Sequence, residues 1–173
     1  MSTIQRPAPD EFAPFYAGYV NGVPDGDVVA VLEQQARDLT ALLSGLSDER
    51  AGHRYAPDKW SVKEVVGHVA DAERIFAYRA LRISRGDATP LAGFDQDAYV
   101  ARGQFDRRAL SDLLTEYAAV SAATVSLFRA MSDEESRRAG SANGVPVTAR
   151  ALAYVAAGHE RHHARILRER YLP

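Results

Sequence analysis

The segment His159-Glu160-Arg161-His162-His163 concentrates this chain's capacity for chemistry. On a helix of about 100° per residue, with Leu152 as origin, His159 falls at about −20° and His163 at about +20°. Both lie mid-stripe among Val155, Ala156, Ile166 and Leu167, while His162 falls at the edge, at about −80°. Imidazoles on the core side of a helix cost free energy unless their nitrogens are paired. The i, i+4 spacing brings the two Cβ atoms to about 6 Å, close enough for both rings to hold one ion. Two core histidines satisfied by ordinary hydrogen bonds fit the same spacing. Gly158 adds a hint: a glycine inside a helix costs about 1 kcal/mol relative to alanine, which implies close approach of another element.

A metal site needs a further ligand, and the remaining histidines are His53 and His68. His53 lies in a polar linker and reads as solvated. His68 lies in a helical segment, at about −120° from Val62, on the flank of the apolar arc with Ala72, Ile75 and Arg79. A bundle helix touches two neighbours, so a flank position can still face inward. From the residues alone, a structural histidine and a ligand fit His68 equally well. Glu73 falls among Val66, Val69 and Ala80 and therefore needs a partner. An arginine ion pair would serve, or Glu73 would orient a ligand histidine. Arg79 is a candidate for holding an anionic group, with a surface salt bridge as the alternative. Glu160 neighbours His159 as a potential general base, but its angle directs it away from the stripe and toward water.

Other catalytic patterns are missing. There is no glycine-rich phosphate loop and no Gly-x-Ser-x-Gly. His159-Glu160-x-x-His163 has the literal zincin form, but a zincin brings a substrate-binding strand and a downstream ligand. No strand pattern accompanies the motif, and the sequence stops ten residues later, which argues against a protease.

The elements that must position these residues are helical. Apolar periodicity predicts helices over about 27–46, 61–85, 107–131 and 148–171. Asp27 or Asp25 caps the first. Ser61 and Glu64 form a capping box for the second, and Gly86 stops it. Asp106 caps the third, and Pro173 closes the last. The second link, 87–105, is the longest and holds a short helix near 95–101. The third link, 132–147, contains Gly140, Gly144 and Pro146 and shows no strand. The expected fold class is all-α: a four-helix bundle with a short extra helix between helices two and three. It occupies residues 25–173 behind an N-terminal extension, 1–24.

Composition sets bounds on partners. A net charge of −2 excludes a global field for nucleic acid or anionic membranes. No apolar run approaches the roughly 20 residues that span a bilayer, and Met1–Pro14 does not form a signal peptide. A cytoplasmic protein acting on a small molecule is expected. The absence of cysteine excludes disulfides, thiolate ligands and a cysteine nucleophile. Any thiol chemistry would use a thiol brought by the substrate.

Three segments resemble the DinB/YfiT-like superfamily, which is distinct from the DNA polymerase sharing the first name. They are Trp60-Ser-Val-Lys-Glu-Val-Val-Gly-His68-Val-Ala-Asp-Ala-Glu-Arg-Ile-Phe-Ala-Tyr-Arg79, Arg85-Gly-Asp-Ala-Thr-Pro-Leu-Ala-Gly-Phe-Asp95 and Ala157-Gly-His159-Glu-Arg-His-His163. The resemblance covers about residues 25–172. It implies a four-helix bundle holding one divalent metal ion, zinc or nickel, on His68, His159 and His163. Three imidazoles leave an open coordination position, as catalytic sites do. The resemblance further implies homodimers and a low-molecular-weight thiol, such as bacillithiol, as co-substrate of an S-transferase. Arg79 would then hold a carboxylate of that thiol. A metal-dependent hydrolase and a non-enzymatic, stress-related metal-binding scaffold are the alternatives.

Overall fold

The structure, a computed structural model, describes residues 4–172. Residues 1–3 of the expected extension, and Pro173 at the end of the last helix, lie outside the described residues. Eight α-helices and one hairpin follow in order: α1 (Ala17–Asn21), α2 (Val28–Leu43), α3 (Asp48–Ala51), α4 (Val62–Ser84), α5 (Gln96–Gly103), α6 (Leu110–Arg129), α7 (Asp133–Arg137), β1 (Ala139–Ala142), β2 (Val145–Thr148) and α8 (Ala149–Ile166). The last helix continues as a π turn over Leu167–Tyr171.

The caps explain the helix boundaries. Asp27 accepts the Val29 N–H at the start of α2. At α4, Ser61 Oγ accepts the Glu64 N–H at 3.1 Å and Glu64 returns the contact to the Ser61 N–H at 2.9 Å, the expected capping box. Thr148 caps α8 through the Ala151 N–H, and Asp95 caps α5. The third long helix departs from expectation. Ala109 occupies its N-cap position without a side-chain bond, and Asp106 instead accepts from Ser61 and Arg54. The first N–H of α6, that of Leu110, is satisfied by Asp48 of α3 at 2.8 Å. The cap comes from 62 residues away, and a local signature does not reveal it.

The hairpin is a second departure. Ala139–Ala142 pairs antiparallel with Val145–Thr148. Asn143 and Gly144 form the turn, with φ of +55° and +76°. Positive φ at both central residues is what an Asn-Gly two-residue turn supplies. Leu91 joins the hairpin edge, its N–H donating to Ser141 O and its carbonyl accepting from Asn143 N–H, both at 2.9 Å.

Four long helices, α2, α4, α6 and α8, make the bundle. Each of α2 and α4 is flanked by both α6 and α8, so α2 and α4 face each other across a diagonal although they are consecutive in the chain. Two apolar clusters fill the interior. One takes Val28 and Leu32 of α2, Phe76 and Ile83 of α4, Phe128 of α6 and Leu152 of α8. The other takes Leu39, Val66, Leu113 and Leu167. Reading the clusters along each helix gives direction: α2 and α8 run one way, α4 and α6 the other. Since α4 and α6 are parallel neighbours, the link between them must return the length of the bundle, which is why it is the longest and carries α5. The segment before α2 lays Ile4, Phe12, Val20 and Val23 into the first cluster, and α1 packs on α8. No helix among the described residues is long and apolar enough to cross a membrane.

Candidate metal centre

His68 projects from α4, and His159 and His163 project from α8, the two helices packed against each other. The Nε2 atoms of His68 and His159 are 3.0 Å apart, and those of His163 and His159 are 3.2 Å apart. One ligand nitrogen from each of the three residues lies within 4.8 Å of the others. Four ligands around zinc at about 2.05 Å would stand roughly 3.3 Å from one another, and the two separations to His159 Nε2 match that value. Hydrogen bonding alone accounts for the cluster poorly. Each Nε2–Nε2 contact needs one protonated and one bare nitrogen, and His159 Nε2 faces both other rings.

Burial depresses the basicity of all three imidazoles. It takes His68 down to about 4 and His163 to about 3, the latter also opposed by its neighbouring imidazoles. His159 is held well below its ordinary value by burial and then by His163, His68 and His162. The rings are therefore neutral at pH 7, the form that coordinates metal.

Aromatic rings brace the triad. Trp60, just ahead of the α4 cap, lies 4.7 Å from the His68 ring and is nearly parallel to His163 at 6.3 Å and 22°. Phe76 and Tyr19 meet His159 edge-on at 5.6 and 5.5 Å. Tyr19 comes from α1, which reaches α8 because residue 158 is glycine. A Cβ there would stand 2.1 Å from the Tyr19 carbonyl oxygen. The close approach expected from Gly158 is thus made by α1. Beside His163 opens a cavity of about 220 Å³, walled by Tyr55, Trp60, Tyr171 and Ile166 with Lys59 and Asp97 at its edge. A larger groove of about 870 Å³ runs between α1, α2 and α8, but none of the three histidines lines it. Of the two, only the smaller cavity is lined by a histidine of the triad, His163.

The other residues singled out by the sequence fall elsewhere. His53 is exposed. His162 is half-buried beside His163 and stays outside the triad. Arg79 is buried eleven residues after His68, about 16 Å farther along α4. Among the described residues it forms no salt bridge: its Nη2 donates to Ala92 O at 2.7 Å, and its guanidinium sits 6.0 Å from the Phe94 ring. Among the described residues Glu73 has neither an arginine ion pair nor a histidine to orient. Its two oxygens accept from Ser121 Oγ at 3.0 and 2.9 Å, and burial lifts its pKa to about 7.

Glu160 is the clearest correction. It is 3% exposed, not solvated, and burial, with Glu73 adding to it, lifts its pKa to about 8. The single-stripe reading assumed a solvent face on this helix, yet α8 is buried on every side from Ala149 to Glu160 by α1, α2 and α4. Trp60, Phe76 and Tyr19 were not recognised as walls of the site from sequence. Gly158 was the one signal of the α1 contact, and nothing in the spacing pointed to Tyr19.

A four-helix bundle with three inward imidazoles on two packed helices defines a helical metal-binding class. Residues 31–167 match the DinB superfamily, and the chain belongs to it. No protein of curated function matches the sequence. Among solved structures the chain is similar to YfiT from Bacillus subtilis, described as a probable metal-dependent hydrolase with an unusual four-helix bundle topology. The TM-score is 0.75 and identity 19%, over 82% of each chain. It is also similar to the mycothiol-dependent maleylpyruvate isomerase, at TM-score 0.68 and 15% identity. That match covers 84% of this chain but 61% of the isomerase, so the chain spans under two thirds of its length.

Proposed function

We propose that the protein is a divalent-metal-dependent enzyme that brings a low-molecular-weight thiol, bacillithiol or a relative of it, to an electrophilic small molecule bound beside His163. The observation that carries this reading is the convergence of three neutral imidazole nitrogens, with the ring of one of them, His163, lining an aromatic cavity. A divalent ion held by three imidazoles lowers the pKa of a thiol or water in its open position toward neutrality. Zinc and nickel both suit such ligands.

The chain's own residues do the remaining work. Burial keeps the histidines unprotonated. Trp60 fixes the His68 and His163 rings in place. The Tyr55, Trp60 and Tyr171 walls exclude water and suit a flat or apolar electrophile. The chain has no cysteine, so a thiol nucleophile has to arrive as co-substrate. Arg79 is buried and stands about 16 Å along α4 from His68, so the reading rests on the imidazoles rather than on Arg79.

A second reading, a hydrolase using water in place of thiol, is favoured by the description of YfiT. Turnover assays separate the two. Zinc- or nickel-loaded protein incubated with a thiol panel and a chromogenic electrophile is expected to exceed the free-metal rate by about 100-fold or more. The rate should require thiol and vanish in His163→Ala. Turnover of ester or amide substrates without thiol would replace this reading with hydrolysis. Turnover with neither would remove the enzyme assignment and leave a metal site that stabilises the fold.

A further inference from the structure

Each of the four long helices carries a buried oxygen-bearing side chain where its contacts pass from one apolar cluster to the other: Gln35 on α2, Glu73 on α4, Ser121 on α6 and Glu160 on α8. Together they form a polar layer across the middle of the bundle. Ser121 Oγ bonds both oxygens of Glu73. The Tyr117 phenol, one turn before Ser121, lies beside Glu160. Among the described residues neither carboxylate forms an ion pair. Arg74, the cation that acts on Glu73, is exposed and already engaged by Asp71 and Glu116.

Three buried oxygens in this layer have no partner at close hydrogen-bond distance: Glu160 Oε1, Gln35 Oε1 and Tyr117 Oη, although the Gln35 and Tyr117 side chains both lie near the Glu160 carboxyl. Tyr117 is 0% exposed and Gln35 9% exposed, so bulk water does not satisfy them. Gln35 is also held in one orientation, because its Nε2 donates to Ala157 O at 3.1 Å and leaves the carbonyl oxygen free. Two buried carboxyl groups without an ion pair, beside oxygens that lack a close partner, would be served by a compact positive charge in place of a proton.

We propose that this layer is a second cation site, built for a hard, oxygen-preferring divalent ion of the Mg²⁺ or Ca²⁺ kind. Glu73 and Glu160 supply two negative charges, and Gln35 Oε1, Tyr117 Oη and Ser121 Oγ supply neutral oxygens. Carboxylates projecting inward from facing helices are an established way for a bundle to hold metal. The all-oxygen donor set separates this site from the all-nitrogen triad, which suits softer ions. The groove between α1, α2 and α8 reaches Gln35 and Glu160 and gives the ion a way in. The proposal is independent of what the histidine centre does.

Zinc-loaded protein, with its triad filled, is titrated with Mg²⁺ and with Ca²⁺ by calorimetry and melted at each concentration. The expected result is one bound ion per chain and a melting temperature raised by several degrees. Glu73→Gln and Glu160→Gln preserve shape and remove charge. Each should weaken binding about tenfold or more and lose the thermal shift, while zinc content stays at one per chain. Terbium provides a readout that does not depend on those variants folding. Luminescence excited through tyrosine should rise on Tb³⁺ addition, fall on Ca²⁺ addition and be strongly reduced in Tyr117→Phe. Wild type with no calorimetric binding and no melting shift, variants that respond like wild type, or terbium emission unchanged in Tyr117→Phe would each overturn the proposal and leave the layer to water and protons.

Discussion

Loading metal-stripped protein with Zn²⁺ is expected to raise its melting temperature by about 5–15 °C, and His159→Ala is expected to abolish the rise. A ligand that binds only the folded state stabilises it by about 2.7 kcal/mol at 100 times its dissociation constant and about 4.1 kcal/mol at 1,000 times. A domain of this size moves by roughly 2–4 °C per kcal/mol. His159 is the position to remove because its Nε2 is the shared neighbour, 3.0 Å from that of His68 and 3.2 Å from that of His163. The ion would draw α4 and α8 together at the boundary of the two apolar clusters, so its binding acts on the whole bundle. Scanning calorimetry with and without metal measures the effect. Equal zinc-induced shifts in wild type and variant would place the ion elsewhere.

The second large effect concerns Gly158→Ala. Helix propensity alone favours alanine by about 1 kcal/mol. Packing opposes it: the new Cβ would stand 2.1, 2.4 and 2.7 Å from the carbonyl oxygen, carbonyl carbon and Cα of Tyr19. These are backbone atoms, so no rotamer change relieves the contact, and α1 has to lift from α8. A cost at the upper end of overpacking, about 3 kcal/mol, is expected, and it lowers the melting temperature by roughly 6–12 °C. Gly18→Ala in α1 is the control, because nothing lies within 4 Å of the Cβ it would add. It should be neutral or slightly stabilising. The two effects on Gly158 have opposite signs, so chemical denaturation decides between them. A stabilised Gly158→Ala would show that the α1 contact is loose.

What the sequence made legible was local. The long helices were readable because apolar periodicity and caps agreed, as at Ser61 with Glu64 and at Asp27. The i, i+4 histidine pair was readable for the same reason, since one helix fixes its geometry. His68 was not, because its meeting with His159 spans 91 residues and rests on how α4 packs on α8. The residues left it as the best remaining candidate with a structural role equally open, and the family resemblance decided for the ligand. The α6 cap was misplaced because Asp48 reaches Leu110 through tertiary structure. The hairpin was missed although Asn143-Gly144 announced its turn, since Ala139–Ala142 lacks the β-branched and aromatic residues that mark strands.

Glu160, and the surface salt bridge offered as the alternative for Arg79, were misjudged through one assumption, that charged residues off the apolar stripe meet water. The assumption suits helices with a solvent face. It fails where α1 covers α8, and where the Ala92 carbonyl and the Phe94 ring enclose the Arg79 guanidinium. Both features come from segments outside the four long helices, which amphipathic pattern does not place.

Elemental analysis of purified wild type beside His163→Ala, each incubated with Zn²⁺ and Ni²⁺ and then dialysed, bears most directly on the metal centre. The account predicts one divalent ion per chain in wild type and almost none in the variant. A wild type that emerges without metal, or a variant that keeps its full complement, would contradict it.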